Sequence, residues 1–190
     1  MKLPVPYILK LFIPLAFIMT VSAGLIYVVA QQNYRLNAND PQIQLAEDFA
    51  AQLTAGRTVD SINTSASIDM AKSLSLFIFV YDDAGKFVAG SGKLNGQYPV
   101  IPVGVLDYAK KVGENRITWQ PQTDVRVALV VVRYEGSHSG YVAVGRSLRE
   151  VEQRVSVLGW QVLGAWLASL VGLFVLIAGS EILISRRSVQ

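Results

Sequence analysis

The sequence predicts an α+β domain held between two membrane-spanning helices, and three observations carry that prediction. Two stretches contain no charged residue, Leu11 to Tyr34 and Val155 to Ser180. Each exceeds the roughly 20 residues that a helix needs to cross about 30 Å of hydrocarbon. Between them, Arg35 to Arg154 is polar and electrically balanced, with as many Lys and Arg as Asp and Glu. Within that block a helical apolar period comes first and strand-like runs follow, the order of an α+β chain. A hydrophobic fraction of 52% and a mean hydropathy of +0.37 are what two spans plus one globular domain produce.

The chain therefore divides into a short leading segment (1–10), a first span (11–34), a domain (35–154), a second span (155–180) and a tail (181–190). The whole net charge of +3 comes from the ends, through Lys2, Lys10, Arg186 and Arg187 less Glu181. The domain itself carries no basic patch of the kind a nucleic-acid surface needs, so nucleic acid is not an expected partner. There is no cysteine, which excludes disulfides, Fe–S clusters and thiol chemistry and leaves the redox compartment open. The domain must be stabilised by its own apolar core.

The first span competes with a reading as a cleaved signal peptide, since Lys2 and Lys10 give a basic start and Val21-Ser-Ala23 and Val28-Val-Ala30 resemble cleavage sites. Its apolar run exceeds the about 7–15 residues of a signal core, which favours an uncleaved anchor. Ala16, Thr20 and Gly24 recur every four residues, a spacing that lets helices approach closely in lipid, and Pro14 is expected to kink the helix. Two spans put both termini on one side. Lys2, Lys10, Arg186 and Arg187 favour the cytoplasm for that side, but Arg35, Arg146, Arg149 and Arg154 at the opposite ends nearly balance them.

The domain opens with a helix. Asn39-Asp40-Pro41 places a capping side chain ahead of a proline in the first turn; Ile43, Ala46, Phe49, Ala50 and Leu53 follow at helical spacing, and Gly56 is a stop signal. Arg57 to Ser67 is rich in Ser, Thr and Asn and reads as a loop, with a chance-level glycosylation sequon at Asn63-Thr-Ser65. Leu76 to Tyr81 is a continuous apolar and aromatic run, as expected of a strand buried on both faces. Asp82-Asp-Ala-Gly85 supplies turn chemistry, and Lys86 to Ser91 returns as the second strand. The paired aspartates are better read as turn residues than as metal ligands or a catalytic dyad, because no third ligand is near. Gly92 to Pro102 is a Gly/Pro/Asn loop, and Val103 to Val112 a short helix closed by Gly113. Three strands complete the domain: Arg116 to Gln120, Val125 to Tyr134 and Tyr141 to Gly145. The only histidine, His138, falls in the Gly/Ser turn between the last two.

The order of these elements, with Val80-Tyr-Asp-Asp-Ala-Gly-Lys86, Gly90-Ser-Gly-Lys-Leu-Asn-Gly96, Ile117-Thr-Trp-Gln-Pro121, Val125-Arg-Val-Ala128 and Gly140-Tyr-Val-Ala-Val-Gly-Arg-Ser-Leu148, resembles a PAS-like extracytoplasmic sensor domain. The type is the single-module Cache domain found between the two spans of bacterial sensor histidine kinases, and the likeness covers most of Leu76 to Glu152. The resemblance implies a five-stranded antiparallel sheet with an amino-terminal helix, a small-molecule pocket between the sheet and Gly92 to Val112, and a location in the bacterial plasma membrane with the domain outside and both termini cytoplasmic. Such kinases continue past their second span into dimerisation and ATP-binding portions. Only residues 181–190 follow that span here, so the expectation is a sensor that relays to a separate kinase or other membrane partner, or that derives from a kinase without its output. Whether the chain is a natural short protein or a truncated one stays open.

The segment leaving the last strand carries the signalling expectation. Ser147-Leu-Arg-Glu150 fits a capping box, in which serine and glutamate satisfy each other's unpaired backbone N–H groups. Glu150 and Arg154 form a favourable helical pair. Leu148, Val151, Val155 and Leu158 are spaced three, four and three, like a coiled-coil seam; a homodimer through 147–172 and a stem packed on its own domain are both consistent with two heptads. In the second span Gly164, Ala168 and Gly172 form another close-approach face. Neither span holds an ionisable residue, which argues against an ion pathway.

No catalytic set, phosphate-binding loop or metal-ligand spacing is present in the sequence, so neither an enzyme nor a cofactor is expected. For a ligand, the candidates are Trp119, Arg126, Tyr98 and Tyr108, with Arg126 able to hold a carboxylate through two bonds. The competing reading of Arg126 is an exposed strand-end residue, and of Trp119 a core anchor. Two functional classes remain: a membrane-anchored sensor, or a non-sensing scaffold or accessory subunit of a membrane complex.

Overall fold

A computed structural model describes residues 5–37, 39–59 and 67–187. Asn63 of the sequon and Lys2 lie outside them, as do the side chains of Arg186 and Arg187. The chain divides into two compact units: Arg35–Gln153, and Met1–Tyr34 together with Arg154–Gln190.

In the first-named unit, α2 (Asp40–Thr54) follows the end of α1 (Val5–Asn37). Its start differs from expectation. Asn39 stands at the cap position, but its backbone is already helical and its side chain makes no capping bond; its carbonyl accepts from the Ile43 N–H at 3.0 Å. Two short strands, β1 (Ile68–Asp69) and β4 (Gly92–Lys93), pair in parallel. The main sheet is formed by β2 (Phe77–Asp82), β3 (Phe87–Gly90), β5 (Glu114–Gln122), β6 (Val125–Tyr134) and β7 (Gly140–Ser147), with α3 (Val103–Val112) between β3 and β5 in the chain. Every neighbouring pair is antiparallel and the spatial order is β3-β2-β7-β6-β5. The domain is therefore α+β with a five-stranded antiparallel sheet.

Two glycines fix the turns around the cavity described below. Gly85 (φ 77°) closes the β2–β3 turn and Gly113 (φ 94°) stops α3, conformations that an L side chain resists. The Asp82 carboxylate holds the first turn by accepting from the Lys86 N–H at 2.8 Å.

Alternation along β2 sends its side chains to opposite faces. Ile78 and Val80 join Val130, Val142, Val144 and the α2 residues Ala46, Ala50 and Leu53 in one core. Phe77, Phe79 and Tyr81 join Leu106 and Ala109 of α3, Trp119, Val127, Leu129 and Val131 in the other. A strand buried on both faces has no polar alternation to display, which is why Leu76 to Tyr81 reads as one apolar run.

Among the described residues two helices are long and apolar enough to span a membrane, and the second unit holds most of both. These are α1, which continues through Pro14, and α4 (Arg149–Arg187), whose first turns belong to the domain unit. The Trp166 indole N–H donates to Thr20 Oγ1 at 3.0 Å, and that hydroxyl donates to the Ala16 carbonyl at 2.7 Å. Phe12 and Phe174 meet edge to face at 6.0 Å, and Gly159 lies against the Tyr27 ring. Gly164, Ala168 and Gly172 are not used against α1: they are exposed within the single chain, and a Cβ at Gly164 or Gly172 would meet no described atom within 4 Å.

Candidate ligand pocket and the joint into the second membrane helix

A cavity of about 360 Å³ opens between the sheet, the β2–β3 turn and the segment Tyr98 to Lys110. That is at the small end of the range of roughly 300–1,000 Å³ usual for ligand pockets. Tyr81 and Tyr141 line it from the sheet, Phe87 and Tyr98 from one side, and Leu106, Asp107 and Lys110 from α3. The aromatic wall is continuous: the Phe87 ring lies 4.7 Å from that of Tyr98 and 5.9 Å from that of Tyr81. Lys93 Nζ sits 5.3 Å from the Tyr98 centroid.

Tyr81 places a polar atom in this wall. Its hydroxyl is buried and has no hydrogen-bond partner. Burial pushes its pKa up to about 12, with the Ile101 backbone pulling the other way. At the rim, Lys110 and Arg133 both approach the Asp83 carboxylate, at 3.3 and 3.5 Å. Arg133 also meets Glu135 at 3.2 Å. Asp107 has no ion pair among the described residues.

Of the four ligand candidates expected from sequence, the structure places Tyr98 in the cavity wall. Trp119 is 8% exposed and belongs to the core. Tyr108 points away from the cavity lining and is 53% exposed. Arg126 is engaged elsewhere: its guanidinium bonds the Glu152 carboxylate, so the carboxylate it holds is the chain's own. Tyr81, Asp107 and Lys110 were not singled out from sequence. The available signal for Tyr81 was a polar-tipped aromatic at the end of a buried run, where the hydroxyl needs a partner.

The same sheet leads into α4. Strand β7 is central, bonded to β2 on one edge and β6 on the other, and α4 starts two residues after its end. The cap is one position later than the capping box predicts. Ser147 still pairs in the ladder with Val127, the Leu148 N–H donates to the Arg126 carbonyl at 2.8 Å, and the Leu148 carbonyl accepts the first helical bond from Glu152 at 2.9 Å. Ser147 Oγ accepts from the Arg149 N–H at 3.3 Å.

Side chains reinforce this joint. Arg149 donates to the carbonyls of Ala71 and Lys72 at 3.3 and 2.8 Å. Arg146 donates to the Leu74 carbonyl at 2.9 Å and pairs with Glu150 at 3.7 Å. Leu148, Val151, Val155 and Leu158 are all half-buried within the single chain, whereas Glu152, Gln153, Ser156 and Val157 between them are exposed. His138 is exposed in its turn, and no cluster of three metal-binding side chains occurs among the described residues. Compared with family models, with curated proteins and with solved structures, the chain matches none.

Proposed function

We propose that this chain is a membrane-anchored sensor of two-component type. In this reading Arg35–Gln153 is a PAS-like, Cache-type domain on the extracytoplasmic side of a bacterial plasma membrane, and α1 and α4 are its two spans. Both termini are cytoplasmic. The occupied state of the domain passes through α4 to an output module, carried by a kinase or other membrane partner. The observation that supports this best is the β7–α4 joint: a central strand, bonded on both edges, runs with a single intervening residue into a helix that continues as the second span. A loop there would dissipate a small strand displacement; a capped helix tied down by Arg126, Arg146 and Arg149 transmits it.

A thermal-shift screen of small metabolites against the full chain in lipid nanodiscs tests the sensing claim. At least one compound should raise the unfolding midpoint saturably. A broad screen with no hit contradicts it and favours the scaffold reading. The natural absence of cysteine makes the topology equally testable: Ser137→Cys, in the exposed β6–β7 turn, should react with a membrane-impermeant maleimide added to intact spheroplasts. Labelling only after lysis would invert the orientation.

A further inference from the structure

Resting on the sensor reading, the cavity's own chemistry narrows its ligand. We propose that it takes a small organic cation, an ammonium that also bears one hydrogen-bonding group. Four aromatic rings, of Tyr81, Phe87, Tyr98 and Tyr141, line a space of about 360 Å³, and ring faces attract cations through their quadrupole. The formal charges lining it are two carboxylates, Asp83 and Asp107, and one ammonium, Lys110; a second ammonium, Lys93, already lies 5.3 Å from the Tyr98 centroid, a cation drawn to this aromatic wall. Lys110 is already neutralised by Asp83 at 3.3 Å, and Arg133 closes on the same carboxylate. That leaves Asp107, unpaired among the described residues, as the charge facing an incoming ligand.

The second, independent observation is Tyr81. It is 4% exposed, it lines the cavity, and its hydroxyl has no partner. A buried hydroxyl without a partner is uncommon and points to a group supplied from outside. Among the described residues no arginine lines the cavity: Arg126 is bonded to Glu152, and Arg133 at the rim is paired with Asp83 and Glu135.

The test is calorimetric titration of the full chain in nanodiscs with choline chloride, tetramethylammonium chloride, the neutral isostere 3,3-dimethylbutan-1-ol and sodium acetate. Choline should bind saturably, and its uncharged isostere roughly fivefold or more weakly. Asp107→Asn should weaken choline and leave the isostere unchanged. Tyr81→Phe should weaken choline but not tetramethylammonium, which has no hydroxyl to offer. Saturable acetate binding with no response to choline overturns the proposal while leaving a sensor domain intact. Equal affinity for choline and its isostere overturns it as well, because the site then reads shape alone. No binding by any of these probes also overturns it, and the metabolite screen then decides separately whether the domain senses anything.

Discussion

Against one face of the sheet, α2 lays Ala46, Ala50 and Leu53 on Ile78, Val80, Val130 and Val142, all of them buried. Against the other, α3 contributes only Leu106 and Ala109 to the core, and a cavity remains beside them. The two coverings differ in their chemistry. Small alanines let α2 approach the strands closely, leaving a contact that only apolar side chains enter. The α3 side is roofed by a Pro- and Gly-containing segment and walled by aromatics with polar tips. One face supplies stability and the other supplies a space, and β7, lying between β2 and β6, belongs to both.

The largest effect should come from the layer beneath the cavity. Phe79 is fully buried, and Phe79→Ala should cost about 3–5 kcal/mol, read as loss of the cooperative unfolding transition or a large fall in its urea midpoint. A smaller change would mean that the cavity side is loosely packed throughout rather than only at its rim. Next, the two faces should respond unequally to added volume. Ala46→Leu, at a position with no exposed surface, should cost about 1–3 kcal/mol. Val103→Leu, at the cavity edge and 70% exposed, should stay within about 0.5 kcal/mol.

Tyr81→Phe sharpens the contrast further, since it removes a hydroxyl that nothing in the domain satisfies. The variant should be more stable by about 1 kcal/mol. It should also alter alkaline behaviour. Unfolded tyrosine ionises near its ordinary pKa of 10, whereas folded Tyr81 holds its proton until about 12. The folded state therefore binds more protons in that window. Its contribution is complete below pH 10 and is lost as pH rises toward 12. Tyr134, shifted upward by burial and by Asp82, acts in the same direction. Thermal melts between pH 9 and 12 should fall more gently for Tyr81→Phe than for the parent chain, and an unchanged slope would remove Tyr81 from this role. A small stability effect, about 0–1 kcal/mol, is also expected at Arg126→Ala, because its pair with Glu152 is half exposed and water screens such contacts.

Much of this arrangement was legible in residue order, and what was hidden had a physical cause. Gly56, Gly85 and Gly113, all at positive φ, mark real ends and turns because local backbone chemistry decides them. The strand Val125–Tyr134 has the expected limits. The β1–β4 pair was invisible: two residues on each side have no period, and their partners lie more than twenty positions apart. Ser147 carried a correct cap signal in a register that the ladder with Val127 overrode. Arg126 is the exposed strand-end residue of its competing reading; its pairing with Glu152 is not legible in the sequence, because that partner is brought to it only when β6, β7 and α4 assemble. The resemblance implies a pocket beside Gly92 to Val112, and a cavity lies against the later part of that segment. Its actual lining depends on which face of β2 each residue takes, and a continuous apolar run does not reveal that.

The most direct test of a sensor whose cavity face speaks to the membrane is hydrogen exchange on the full chain in nanodiscs, with and without a hit from the metabolite screen. Occupancy should slow exchange across Tyr98 to Lys110 and also change it across Ser147 to Val155. Arg126→Ala, which loosens one of the ties at the joint, should reduce the second change and keep the first. Protection confined to Tyr98 to Lys110 in the unmutated chain, with Ser147 to Val155 unmoved, would contradict the relay.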